Sequence, residues 1–226
     1  IVYLDESMDS SYIDALKTVQ ENPELALKTD LKVVFTPLHG ASGKTTKRIL
    51  TEAGYQHIFY VDEQMEPNGE FPTVASPNPE EESAFEYAIR YGEQYEADIL
   101  IAVDPDGDRV GAAVKTKNGY KLLTGNQTGA ILIEYLLMMR KEKGTMPAKG
   151  RVFKTIVTSD LGRVIAEYHG ASTEDVLTGF KFIGEKIKHY EETKEYEFLF
   201  GYEESYGYLV KDFARDKDAV QSVLAL

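Results

Sequence analysis

Short apolar runs that alternate with segments of helical spacing constrain this chain most. Residues 31–37, LKVVFTP, form one such run and stop at Pro37, which has no N–H to offer a sheet ladder. A glycine-rich turn, LHGASG, follows. KTTKRILTEAGY then has helical spacing closed by Gly54, and HIFYV at 57–61 is a second apolar run. Strand, helix, strand in this order is the building unit of α/β folds.

The rest of the chain extends the pattern. Residues 9–20 read as a capped helix, and a long polar connection after residue 62 is broken by Pro67, Pro72, Pro77 and Pro79. Residues 80–95 resume helical spacing through Ala84, Ala88, Tyr91 and Tyr95. ADILIAV and RVGAAVK follow as third and fourth strands, and Lys117, Asn118 and Gly119 supply a hairpin-type turn. A second α/β pattern starts near residue 120. It holds a long helix through AILIEYLLMM, a strand at 151–157, a helix after Ser159 as cap, a short strand and helix through TGFKFIGEKI, and two strands bent around GYEESYG. The expected organisation is therefore two consecutive α/β domains, residues 1–119 and 120–226.

Charge and composition narrow the partners. The 38 Asp plus Glu exceed the 25 Lys plus Arg by 13, so the mean surface repels nucleic acid and anionic membranes, and neither is expected as a partner. A local cluster of cations can still reverse that field in one cleft. With no cysteine there is no disulfide framework and no thiolate zinc site, which suits the cytoplasm. The apolar stretch at 130–139 is too short for a bilayer and carries Glu134. The acidic start without Met and the uncapped apolar pattern at 216–226 read as the two ends of a piece of a longer protein.

IAVDPDGDRVG at 101–111 carries the densest chemistry. Asp104, Asp106 and Asp108 occupy every second position, and three carboxylates this close repel unless a positive charge sits among them. An EF-hand loop counted from Asp104 requires Gly at position 6 and Glu at position 12, where this chain has Arg109 and Lys115, so that reading fails. Mg²⁺ accepts a few carboxylate oxygens and leaves room for water and phosphate, and Arg109 stands beside the loop to meet phosphate oxygens. The alternative is a solvated acidic turn, for which DPDG is good turn chemistry.

Other segments are less specific. HGASGKTT lacks the first glycine of a P-loop, since that position is Leu38, but a glycine-rich turn before a helix can take an anion or serve as a tight connection. Ser76 in ASPNPEE has no neighbouring histidine base and reads as part of a rigid turn. Glu203, Glu204 and Ser205 suit hydrogen bonding to a polyhydroxylated ligand, or an ordinary strand turn. Lys154 interrupts an apolar strand, either reaching into a cleft or snorkelling out. Of the four histidines only His39, beside Gly40, stands in a suspicious place.

TPLHGASG, FPTVASPNPEE, AVDPDGDRVG, LTGNQTGAIL, TGFKFIGEKI and GYEESYG occur in an order that resembles the α-D-phosphohexomutases, the phosphoglucomutase and phosphomannomutase family, and specifically its two central domains. The resemblance implies two three-layer α/β/α domains with mixed sheets. It also implies a Mg²⁺-dependent isomerase that moves a phosphoryl group between the 1- and 6-positions of a hexose through a phosphoserine and a bisphosphate intermediate. Carried over residue by residue, Asp104, Asp106 and Asp108 match the Mg²⁺ ligands and Arg109 the adjacent active-site arginine. Lys154 matches a lysine near the reacting groups, a candidate acid or base helper. Glu203 and Ser205 match the sugar-recognition loop, and Gly179, Phe180 and Lys181 a loop that distinguishes substrate orientations. The family's serine loop and its main phosphate-binding loop belong to its first and last domains, so the partners implied are a hexose phosphate and those two domains of the same chain, and this piece alone is expected to be inactive. Tyr206 stands where a glycine is expected in the sugar loop, and GYEESYG is closer to the phosphoglucomutase and phosphopentomutase branch. The rivals are a noncatalytic sugar-phosphate or metal-binding module and a nucleotide-dependent kinase using HGASGKTT.

Overall fold

The computed structural model describes residues 4–226. Its first half builds a five-stranded mixed sheet from β1 (Val33–Thr36), β2 (Ile58–Tyr60), β3 (Ile99–Val103), β4 (Val110–Thr116) and β5 (Gly119–Leu122) in the order β2-β1-β3-β4-β5. β2 and β3 run parallel to β1, β4 runs antiparallel to β3, and β5 antiparallel to β4. The second half builds a four-stranded sheet from β6 (Gly150–Thr155), β7 (Ser172–Val176), β8 (Glu197–Tyr202) and β9 (Tyr208–Leu209) in the order β7-β6-β8-β9, with only β9 antiparallel. Helices cover both sheets in α/β/α layers, as the sequence pattern and the resemblance together imply.

Side-chain alternation explains the layering, because successive residues of a strand point to opposite faces. Val33 and Phe35 of β1 join a core with α1 (Glu6–Lys17), α3 (Gly43–Ala53) and α9 (Ala219–Ala225). Val34 joins the opposite core with Phe85, Ala88 and Leu100, under α5 (Glu86–Tyr95). In the second half α8 (Phe180–Thr193) packs Ile183 and Ile187 against Phe153 of β6, while α6 (Gly125–Glu142) pairs with α7 (Leu161–Tyr168). Two short helices, α2 (Pro23–Lys28) and α4 (Asp62–Met65), complete the set.

Several boundaries differ from the sequence reading. The first helix starts three residues before 9–20 does and ends at Lys17, because Asp5 caps it by accepting from the Ser7 amide at 3.0 Å. β5 carries the first sheet to Leu122, across the expected division at 119/120. Ile156 and Val157 lie beyond the end of β6 and are exposed. Asp160, not Ser159, occupies the cap position of α7; Ser159, two residues ahead of the helix start, accepts from the Leu161 amide at 3.2 Å and serves the helix entry from just outside it. The Thr124 cap of α6 forms a reciprocal capping box with Gln127, which fixes the entry of that helix. Among the described residues, no helix is long and apolar enough to cross a membrane.

Candidate functional site

The loop from β3 to β4 folds back on itself at Gly107, whose φ of 78° is left-handed backbone that glycine adopts without strain. Asp104 organises the turn: one of its carboxylate oxygens accepts the amides of Asp108 and Arg109 at 3.0 and 2.9 Å. One carboxylate oxygen from each of Asp104, Asp106 and Asp108 then lies within 4.8 Å of the others. Burial pushes the Asp104 carboxyl up to about 7 against the amide of Arg109, which works the other way, and the charges of Asp108 and Asp106 add to the rise. Converging oxygen donors with one carboxylate held near neutrality by crowding fit a hard divalent cation, which relieves both burdens.

Protein cations already answer part of that crowding. Lys217, just before α9, places its ammonium 2.9 Å from Asp108 and 5.6 Å above the Phe180 ring. Burial works against its charge, but the hydrogen bond and charge of Asp108 outweigh it and raise its pKa. Arg109 reaches back to Glu80 at 3.0 Å and stands 3.8 Å from Asp108. Neither Lys217 nor Glu80 was singled out from the sequence. Lys217 lies in the alternating run Arg215-Asp216-Lys217-Asp218, which offers no local signal that singles it out.

HGASG buttresses the metal loop. The Ala41 amide donates to the Pro105 carbonyl at 2.9 Å and the Gly40 amide to Pro37 at 2.7 Å, so these N–H groups are spent inside the protein. A Cβ on Gly40 would stand 2.4 Å from the Pro105 backbone, which makes glycine necessary there. His39 is buried and bonds Thr73 at 2.8 Å, tying down the proline-rich connection that delivers Glu80. Ser76 bonds Glu81 at 2.9 Å, within the same turn.

The second half brings its loops to the same edge, where β3, β6 and β8 all end, the usual location of sites in α/β sheets. Glu203 is buried and accepts from the Gly179 amide at 2.9 Å, which joins the two loops expected to meet substrate. Its other oxygen has no partner among the described residues. Glu204 instead accepts from Thr155 and Thr158 at 3.2 and 3.0 Å, and Ser205 is half-buried beside it. Phe180 is a core residue whose ring lies under Lys217, whereas Lys181 is exposed. Lys154 does not snorkel: its side chain is 2% exposed, its ammonium lies 3.1 Å from Asp175 and 3.3 Å from Asp160, and it donates to the Thr158 carbonyl at 2.9 Å.

Backbone contacts lock the two loops together. The Val110 amide donates to the Tyr206 carbonyl at 3.0 Å, and Arg109 and Gly207 form an antiparallel bridge between the sheets. Tyr206, in place of glycine, still adopts φ of 65°, and Glu203 closes the turn by donating to the Gly207 carbonyl at 2.9 Å. The Ala219 amide donates to the Gly107 carbonyl at 3.0 Å, so the second half also holds the tip of the metal loop.

Residues 10–119 match the phosphoglucomutase/phosphomannomutase alpha/beta/alpha domain II, and residues 124–226 match domain III. A phosphoglucomutase of Staphylococcus epidermidis is 41% identical over 211 residues, covering 93% of this chain and 38% of its own length. One from Staphylococcus haemolyticus is 40% identical over 222 residues, covering 97% and 39%. The chain thus spans about 38% of the length of the first of these relatives. Among solved structures, a phosphoglucomutase/phosphomannomutase family protein of Burkholderia thailandensis superposes with a TM-score of 0.71 at 18% identity, over 96% of this chain and 42% of that one. The open form of a phosphoglucomutase, parafusin, from Paramecium gives 0.68 at 19%, over 96% and 36%, and both similarities speak for the fold alone. With consecutive family domains matched along both halves and the aspartate loop seated where they meet, the chain belongs to the phosphoglucomutase/phosphomannomutase family.

Proposed function

We propose that the chain through β5, which ends at Leu122, and the remainder that follows it are the second and third domains of a Mg²⁺-dependent phosphohexomutase acting in the cytoplasm. In this reading it interconverts hexose 1-phosphate and hexose 6-phosphate through a phosphoserine and a bisphosphate intermediate. The observation that carries the reading is the convergence of the three aspartates, Arg109, Lys217 and the Glu203 loop on one edge of two joined sheets. Glucose phosphate is the favoured substrate because the similar relatives are named phosphoglucomutases. The phosphoserine loop and the last phosphate-binding loop come from other domains of the same longer protein.

Asp104, Asp106 and Asp108 would hold the cation, which supplies charge neutralisation for a phosphoryl group. Arg109, half-exposed, turns its guanidinium toward phosphate oxygens. The free oxygen of Glu203 and the hydroxyl of Ser205 bind sugar hydroxyls, with Gly179 fixing the Glu203 side chain and Lys181 exposed at the next turn. Lys217 holds or releases a proton at the reacting hydroxyl. Lys154, fixed between Asp160, Asp175 and Thr158, contributes a stationary positive charge beneath the Glu204 turn.

The test is a coupled assay of glucose 1-phosphate isomerisation with the longer protein, its Asp106→Asn variant and the 226-residue chain. Activity that requires Mg²⁺, falls at least about a hundredfold in the variant and is absent from the 226-residue chain supports the reading. A variant as active as the parent protein, or turnover by the 226-residue chain alone, overturns it. Mannose 1-phosphate as the better substrate would overturn the glucose assignment only.

A further inference from the structure

The opposite end of the second sheet carries a cluster that the proposed reaction does not use. β6 and β8 end at the candidate site, so the segments that precede Gly150 and include Glu197 lie at the far edge. There a cleft of about 430 Å³ is lined by Arg140, Lys143 and Lys211 and by the carboxylates of Glu21, Glu197 and Asp212. Glu21 is buried, and three cations share it: Lys143 at 2.9 Å, Arg140 at 3.3 Å and Lys211 at 4.0 Å. Glu197 and Asp212 also line the cleft, but among the described residues the ion pairs of these three cations run to Glu21 alone, and one carboxylate cannot saturate three cationic groups.

The unused donors are specific. Arg140 is 8% exposed, yet only its Nε is hydrogen-bonded, to Glu21; among the described residues its two terminal nitrogens have no partner. The Lys211 ammonium also has no hydrogen-bond partner there, and burial together with the charges of Arg140 and Lys143 lowers its pKa. Lys143 differs, since it donates to both the carboxylate and the backbone carbonyl of Glu21. In a chain with 13 excess negative charges, a cleft whose three cations balance its three carboxylates and still leave guanidinium and ammonium donors without hydrogen bonds is locally far less negative than the mean surface.

We propose that this cleft is a second anion site, in which the terminal nitrogens of Arg140 and the ammonium of Lys211 bind the phosphate of a small phosphate monoester. A planar guanidinium with free terminal N–H groups matches adjacent phosphate oxygens, and the lysine adds a point charge. A second cleft of about 480 Å³ shares Glu197, Phe198 and Asp212 with it and accommodates the organic part of such a molecule.

Calorimetric titration with inorganic phosphate and with glycerol 3-phosphate tests the site, using the 226-residue chain in an Arg109→Ala background. That background separates the cleft from the aspartate site, so failure here leaves the proposed reaction standing. Binding should persist in Arg109→Ala and weaken at least about tenfold on adding Lys211→Ala or Arg140→Lys. It should tighten on adding Glu21→Gln, which frees the remaining donors. Lys211→Ala removes no hydrogen bond, so it tests the site even if Arg140→Lys impairs folding. Tighter binding of glycerol 3-phosphate than of inorganic phosphate supports a monoester; equal binding overturns that part. No binding by the Arg109→Ala chain, or binding indifferent to Lys211→Ala, overturns the site and leaves the cations as counterions of Glu21 and the α6 C-terminus.

Discussion

In the proposed site, Lys217 and a divalent cation would compete for the same carboxylate, Asp108. Replacing Lys217 by methionine keeps a long apolar stem over Gly207, where a Cβ would stand 2.1 Å from the lysine Cδ, and removes only the ammonium. The lost contact is 2.9 Å long, with 14% of the lysine and 27% of the Asp108 side chain exposed. A fully exposed pair contributes at most about 1 kcal/mol. A hydrogen bond to a charged group, better shielded, contributes about 1.5 to 3 kcal/mol. The intermediate exposure places the contest at about 1 to 2 kcal/mol, so Lys217→Met should bind Mg²⁺ or Mn²⁺ roughly five- to thirtyfold more tightly. Calorimetry with Mg²⁺ and electron paramagnetic resonance with Mn²⁺ read this directly. Without cation the variant should melt lower than the parent chain, because Asp108 loses its neutralising partner. Unchanged or weaker cation binding would refute the competition.

Other perturbations probe the same edge. The folded Asp104 carboxyl titrates near 7, above about 3.9 in an unfolded chain. Its contribution to stability is therefore full below about pH 4 and lost as pH rises toward about 7. Metal-free melting should show this loss, Asp104→Asn should flatten it, and Mg²⁺ should raise the melting temperature more at about pH 7.5 than at about pH 5.5. Gly40→Ala forces a Cβ against the Pro105 backbone and should cost about 1 to 3 kcal/mol in urea denaturation, with weaker Mg²⁺ binding. Glu203→Ala removes the acceptor of the Gly179 amide and should cost about 1 to 2 kcal/mol, with faster hydrogen exchange at that amide. Exchange at Gly179 as slow as in the parent chain would mean that Glu203 does not hold that loop.

Local patterns carried much of the fold. Apolar runs revealed β1, β3 and β6 because strands buried on both faces have little polar alternation to confuse the reading. The boundary shifts arise where a nonlocal partner decides. β5 reads as loop until it pairs with β4, and Ile156 and Val157 continue an apolar run after β6 has already ended. The aspartate triplet was legible because its members are adjacent in sequence. Lys217 was not, since 109 positions separate it from the Asp108 it contacts and its own neighbours, Asp216 and Asp218, carry no sign of that partner. Glu204 and Lys154 look equally exposed to ligand in the sequence; only the fold shows that Thr155, Thr158, Asp160 and Asp175 already occupy them.

The bridge between Arg109 and Gly207 turns the two loops into marks on one ruler. Their separation is fixed by main-chain contacts, one isolated bridge and the Val110–Tyr206 hydrogen bond, not by side chains that can rotate. A residue inserted between Val110 and the metal loop would shift one mark by about 3.4 Å and flip every side chain after it. The spacing between the aspartate loop and the Glu203 loop is thus written in the main chain, and sequence drift at the loop tips can change their side chains without changing the length being measured.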